Sequence, residues 1–200
     1  MKKSGLMAFI AAVMLLSGCG GENRQTPDGA GEDSSTVYVN AEKTVFGICG
    51  EGSAMNTLQM ITDSGDTLSL SITDAKENGK VLGGYACGDR MAVLLNDDKT
   101  VAQLVINETT LLGNWVMPNP LDGSSFVGIS LKDGGIAESI DQSTIVYKTW
   151  RIVNGRIEIQ SVREGGGDEE EINVYDIVKL DADSLVYKNE EDLFEYGRLK

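Results

Sequence analysis

The 200-residue chain contains no histidine. That removes His-based triads, the commonest general base and the commonest zinc ligand, and it lowers the expectation of an enzyme. Basic charge is also scarce: 17 Lys and Arg stand against 31 Asp and Glu, a formal net charge of −14. Such a chain repels phosphate backbones, so nucleic acid is not an expected partner. It offers anionic headgroups no basic patch either. Cysteine is limited to 3 residues. No paired-cysteine spacing marks a soft-metal site, although Met55, Met60 and Met91 lie near Cys49 and Cys87 in sequence.

What is present begins at the N-terminus. Met1-Lys2-Lys3 is followed by an apolar run from Leu6 to Leu16 and then Ser17-Gly18-Cys19. A cationic start, a brief apolar segment and small residues before a cut describe a secretory signal. The run is shorter than the ~20 residues a spanning helix needs. Leu16-Ser17-Gly18-Cys19 resembles the bacterial lipobox. That resemblance implies a diacylglycerol on the Cys19 thiol and cleavage before Cys19, leaving residues 1–18 as a lipoprotein signal peptide. Each buried methylene contributes about 0.8 kcal/mol, so two or three chains anchor firmly. The resemblance also implies a cell-envelope location. Gly20, where an inner-membrane retention signal would carry aspartate, favours the outer membrane and leaves the choice between periplasmic face and cell surface open.

From Gly20 to Ser35 the chain is Gly, Glu, Asn, Gln, Pro, Asp and Ser without periodicity, so residues 19–35 read as a lipidated flexible tether. From Thr36 onward, segments rich in Val, Ile, Thr and Tyr alternate with turn clusters, which predicts an all-β fold. A first module over residues 36–107 has strands at Val37–Asn40, Thr44–Ile48, Thr57–Thr62, Thr67–Thr73, Lys80–Leu82, Arg90–Leu95 and Val101–Ile106. A chain of this size can close a small barrel of the OB or SH3-like kind. A second module over residues 108–200 has eight expected strands: Leu112–Met117, Ser125–Leu131, Ile136–Ser139, Thr144–Val153, Arg156–Val162, Ile172–Leu180, Leu185–Tyr187 and Phe194–Arg198. Asn154-Gly155 is the strongest hairpin signal, a type I′ turn. The succession predicts an up-and-down meander closing on itself, which abolishes exposed edges.

Gly113-Asn114-Trp115 on the first strand of this meander resembles the G-x-W motif of lipocalins. The resemblance implies that Trp115 closes the barrel base and that Arg198, on the last strand, packs across its face. The wider stretch Leu111 to Lys200 resembles a family of short lipocalin-like domains in lipoproteins of Gram-negative gut bacteria. The features that carry the likeness are Leu112-Gly113-Asn114-Trp115, Asp133-Gly134-Gly135-Ile136-Ala137-Glu138-Ser139-Ile140, Ile145-Val146-Tyr147-Lys148-Thr149-Trp150 and Asp183-Ser184-Leu185-Val186. The domain is shorter than a full lipocalin, which argues against a large internal cavity. The first module also resembles the small barrel of copper-stress lipoproteins, without the paired cysteines that mark it.

Candidate chemistry outside that motif is sparse. Cys49 and Cys87 sit in a repeated Cys-Gly-acid pattern, and two leftover cysteines in an oxidising setting pair or pack as small apolar residues. Ser53 lacks a histidine to activate it. Glu164-Gly165-Gly166-Gly167-Asp168-Glu169-Glu170-Glu171 offers carboxylates to calcium but lacks the spacing of a calcium loop, so a solvated hairpin tip is expected. Glu190-Glu191-Asp192 is a similar charged turn. Trp115, Trp150, Tyr147, Tyr175 and Tyr187 either fill the second module or line a pocket, with Tyr147 and Trp150 as the pocket candidates. No catalytic residue, metal or cofactor is expected. The expected partners are a membrane through the anchor and either a small apolar ligand or another envelope protein.

Overall fold

The computed structural model describes residues 42–141, 144–163, 165 and 169–200, which belong to one compact unit. Cys19, the signal, the tether and the strand expected at Val37–Asn40 lie outside the described residues.

The N-terminal part is a six-stranded sheet with order β3-β2-β1-β5-β6-β4. Its strands are β1 (Thr44–Cys49), β2 (Thr57–Thr62), β3 (Thr67–Ser71), β4 (Val81–Leu82), β5 (Arg90–Leu95) and β6 (Ala102–Asn107), with helix α1 (Thr73–Glu77) after β3. The sheet curls until Ser71 meets Val101 in a single parallel bridge. A ladder running β1-β2-β3 and returning through β6 and β5, with a helix after the third strand, is the partly open barrel of the OB kind. The expected small barrel therefore takes one of the two forms the sequence left open.

Helix α2 (Glu108–Leu111) links the sheet to a closed eight-stranded barrel. The barrel comprises β7 (Gly113–Pro118), β8 (Phe126–Lys132), β9 (Ile136–Ile140), β10 (Ile145–Val153), β11 (Arg156–Arg163), β12 (Glu170–Leu180), β13 (Ser184–Lys188) and β14 (Leu193–Arg198). Consecutive strands pair antiparallel, and β14 returns to β7 through Gly197↔Val116 and Arg198↔Trp115. The predicted meander is thus the observed one. Asn154 and Gly155 both adopt positive φ, at 49° and 74°, as the I′ turn requires.

Two apolar cores result. Met91, Val93, Leu95 and Val105 point into the sheet's own core with Leu58, Met60 and Leu70. The intervening Ala92 and Ile106 join Leu82 and Leu111 in the core that runs into the barrel around Trp115 and Ile152. Successive strand residues face opposite sides. A continuous apolar run such as Met91-Ala92-Val93 therefore marks a strand buried on both faces.

Candidate functional site

The base of the barrel joins the first and last strands of the ring. Trp115, fully buried on β7, donates its indole N–H to the Leu111 carbonyl at 2.8 Å, tying the barrel wall to α2. The Arg198 guanidinium lies 4.0 Å from the Trp115 ring centroid. Its Nη1 donates to the Leu112 carbonyl at 2.8 Å, and Nη2 and Nε donate to the carbonyls of Thr110 and Ala182. A cation over an indole contributes ~0.5–2 kcal/mol. Gly113 adopts φ +137, and a Cβ there would collide with the Arg198 guanidinium, so glycine is demanded twice over. Gly113, Trp115 and Arg198 therefore meet at one point.

Above this base the interior is filled by side chains. Tyr175 (β12), Tyr187 (β13), Phe194 and Tyr196 (β14) form one aromatic cluster, with centroid separations from 4.9 Å for Tyr175–Tyr187 to 6.1 Å for Phe194–Tyr196. The Tyr187 and Tyr196 hydroxyls are 3.1 Å apart. Tyr147 on β10 stands close enough to Tyr196 to act on it electrostatically. Strands β10 and β14 stand on opposite sides of the eight-membered ring, so the two phenols face each other across the lumen. Burial pushes all four phenols up, Tyr175 to about 12. They are neutral hydrogen-bond donors at physiological pH, not nucleophiles.

The open end lies opposite the base, where β7–β8, β9–β10, β11–β12 and β13–β14 are joined. Leu121, Phe126, Ile172 and Leu193 are large apolar side chains exposed toward that end, Leu121 by 88%, with Phe126, Ile172 and Leu193 on the outward face of their strands. On the inward face of the neighbouring strands, Ser161 and Asn173 pair with Glu171 and Ile159 respectively.

Of the two aromatics expected to line a pocket, Tyr147 faces the lumen. Trp150 instead combines core packing with the wall of a cleft of about 380 Å³ between sheet and barrel, shared with Phe46 and Arg90. Its indole N–H donates to the Lys132 carbonyl at 2.9 Å. Sequence reasoning missed Tyr196, whose ring and hydroxyl join the others. Its alternation with Phe194 on β14 was the available signal.

The cysteine pair is corrected: Cys49 and Cys87 are both free thiols. Cys49 turns into the sheet core, its Sγ 3.2 Å from Ser53 Oγ, whereas Cys87 is exposed on the approach to β5. Ser53 itself is held by the backbone of Gln59, as a structural polar contact. Met60 and Met91 are buried in the sheet core, while Met55 is exposed. Among the described residues no group of acidic or cysteine side chains could hold a metal ion. Glu164 and Asp168 lie outside the described residues, and Glu170 and Glu171 pair with Gln160 and Arg163 on the barrel wall. Glu190-Glu191-Asp192 caps a hairpin whose backbone amides bond Asn189 Oδ1.

The family model for lipocalin-like domains matches residues 107–199. A crystal structure of a lipocalin-like protein from Bacteroides thetaiotaomicron VPI-5482 is similar at 32% sequence identity, over 45% of this chain and 97% of that one, with a TM-score of 0.41. No curated protein matches the chain. Residues 107–199, the closed barrel with its α2 cap, belong to the lipocalin-like family.

Proposed function

We propose that this is a lipid-anchored protein of the bacterial cell envelope whose lipocalin-like barrel binds a small apolar or amphipathic ligand and catalyses no reaction. The observation that carries the reading is the barrel interior, where the neutral, buried phenols of Tyr187 and Tyr196 pack with Phe194 below the open end. Because the aromatic cluster of Tyr175, Tyr187, Phe194 and Tyr196 fills the interior, the ligand sits shallowly above it rather than at the Trp115 base. The anchor is Cys19, in the outer membrane by the absence of aspartate at position 20.

The ligand is tested by native mass spectrometry of the protein isolated from its own host, followed by a lipid and metabolite panel. A retained apolar species supports the reading, and a chain that binds none of the panel sinks it. The anchor is tested by Cys19→Ser, which should leave unprocessed precursor and abolish acyl labelling. Normal processing of that variant would refute lipidation.

A second reading is an interaction module that docks onto another envelope protein. It is favoured by a groove of about 900 Å³ between sheet and barrel, lined by Lys80, Gln103, Asn154, Arg156 and Asp176. In-cell crosslinking through a photoreactive residue at position 103 discriminates. A discrete heterologous adduct supports docking, and self-adducts alone count against it.

A further inference from the structure

The cleft of about 380 Å³ at the junction of sheet and barrel takes no part in the reading above. Its volume lies within the ~300–1,000 Å³ of small-molecule sites. Part of its wall is apolar: Phe46 on β1, Leu112 after α2, and Trp150 and Ile152 on β10. Trp150 is fixed there, because its indole N–H is spent on the Lys132 carbonyl. The rest of the lining is mostly charged, and the turn Asp133–Gly135 between β8 and β9 supplies one of those charges. That turn lies against β10: a Cβ on Gly135 would stand 2.9 Å from the Trp150 carbonyl oxygen, so glycine is what lets Asp133 approach.

The charges around the cleft do not cancel. Asp63, Glu108 and Asp133 line it together with Arg90 and Arg151. Arg90 serves two carboxylates at once: Nη2 donates to Asp63 at 2.7 Å, and Nε stands 3.2 Å from Glu108. Arg151 is held by Glu158 at 2.6 Å. Asp133 accepts from the Gly134 amide at 2.9 Å, and among the described residues no cation pairs with it. With Arg151 set against Glu158, three carboxylates face the one guanidinium of Arg90. Glu108 registers the excess. Burial pushes its carboxyl up, Arg90 pulls it down, and the negative charges of Asp63 and Asp133 push it up again.

We propose that this cleft is a second ligand site and takes a small organic cation with an apolar body, a primary amine in the simplest case. The ammonium group lies at Asp133 and Glu108, and the body lies against Trp150 and Ile152. An aromatic wall attracts a cation through the negative face of its ring, and Arg90 already stands 5.8 Å from the Phe46 centroid in this manner. An anion of the same shape meets the same apolar wall but must be desolvated beside surplus carboxylates. The cleft is separate from the barrel interior, so the two sites stand or fall independently.

The experiment uses the mature chain, residues 19–200, with Cys19→Ser, which keeps sheet and barrel joined. Three probes of similar shape are titrated at neutral pH: 2-phenylethylammonium, 3-phenylpropionate and 2-phenylethanol. Binding is followed through the N–H signals of Gly134, Gly135 and the Trp150 indole in proton–nitrogen NMR spectra. The ammonium probe should move these signals and bind about tenfold more tightly than the carboxylate, the worth of one hydrogen bond to a charged group. The alcohol should fall between them. Asp133→Asn keeps an oxygen for the Gly134 amide and removes the charge, so it should lower the ammonium affinity severalfold while the spectrum remains that of the folded protein. A carboxylate that binds as tightly as the ammonium overturns the proposal, and so does an ammonium affinity that Asp133→Asn leaves unchanged. Shifts confined to Tyr187 and Phe194 overturn the cleft as the site and favour the barrel reading instead. A spectrum that none of the probes moves overturns the cleft as a ligand site and leaves the barrel reading to its own test.

Discussion

The N-terminal sheet and the C-terminal barrel use the same strand chemistry to opposite ends. The barrel closes on itself, and β11 shows the resulting alternation: Ile157, Ile159 and Ser161 are buried while Arg156 is exposed. The sheet stays partly open and covers the barrel's flank, so β5 is buried on both faces, with Met91 and Val93 in one core and Ala92 in the other. The difference teaches that the pattern of a strand reports how many faces it buries, not how hydrophobic its module is. It also implies that the two regions share stability, because the barrel core continues through Leu111 to Ile106.

The largest expected effect tests that sharing. Trp115→Ala should cost about 3–5 kcal/mol, since it empties the largest fully buried position and strands the Arg198 guanidinium. The remaining Trp150 lies at the junction, and its fluorescence and the far-UV circular dichroism should fall together in urea. Two separated transitions would break the comparison. Next, Ile106→Ala should cost about 2–5 kcal/mol and lower amide protection in the barrel. Val105→Ala, one residue away but in the sheet's own core, should release the sheet first. Identical exchange patterns for the two variants would argue against two cores.

Alkaline pH should separate the regions next. The folded barrel holds Tyr147, Tyr175, Tyr187 and Tyr196 with raised pKa values, Tyr175 to about 12. Unfolded phenols ionise near 10. The stability they contribute is therefore complete below about pH 10 and is lost as pH rises through the folded values. Phenolate absorbance and exchange measured between about pH 9 and 12 should show the barrel opening before the sheet. A sheet that opens first would contradict this. The smallest effect concerns the Asp63–Arg90 pair, where Arg90 Nη2 donates to Asp63 Oδ2 at 2.7 Å. The hydrogen bond from Arg90 holds Asp63 below its ordinary value, so its contribution is present above about pH 4 and is lost as pH falls through the lowered value. Both side chains are more than a third exposed, so Asp63→Asn should cost under about 1 kcal/mol at pH 7. The gap to the parent should close on acidification, and a gap that widens would show that another group controls it.

Much of this fold was legible in the sequence. Strands β2 and β5 fall on the residues expected from alternation and β-branched content, and the Asn154-Gly155 turn follows from two positive φ angles that only such a pair adopts cheaply. Helix α2 was not legible, because four residues cannot display a 3.6-residue period. Its one local sign was Asn107, whose side chain accepts from the Thr110 amide. The Gly113–Trp115–Arg198 constellation was readable through its resemblance, because its members occupy the two strands that close the ring. The phenol cluster was only half readable. Tyr147 and Tyr187 stood out as aromatics, but that Tyr196 faces β10 across the lumen depends on which strands stand opposite each other in a closed barrel. The choice between a disulfide and packed thiols stayed open for a related reason: Cα approach and side-chain direction decide a disulfide, and neither is written in spacing.

The closing contact between β14 and β7 has a kinetic consequence. Arg198 reaches back across 88 residues to the carbonyl of Thr110. A chain delivered N-terminus first, whether from a ribosome or through a translocation channel, cannot seal this barrel until its last strand has emerged. Hairpins such as β10–β11 can form early and locally, while the seam must wait for loop closure at high sequence separation. The domain is therefore a late folder by construction. Under the export and anchoring proposed above, such a seam would form only after the whole chain has crossed.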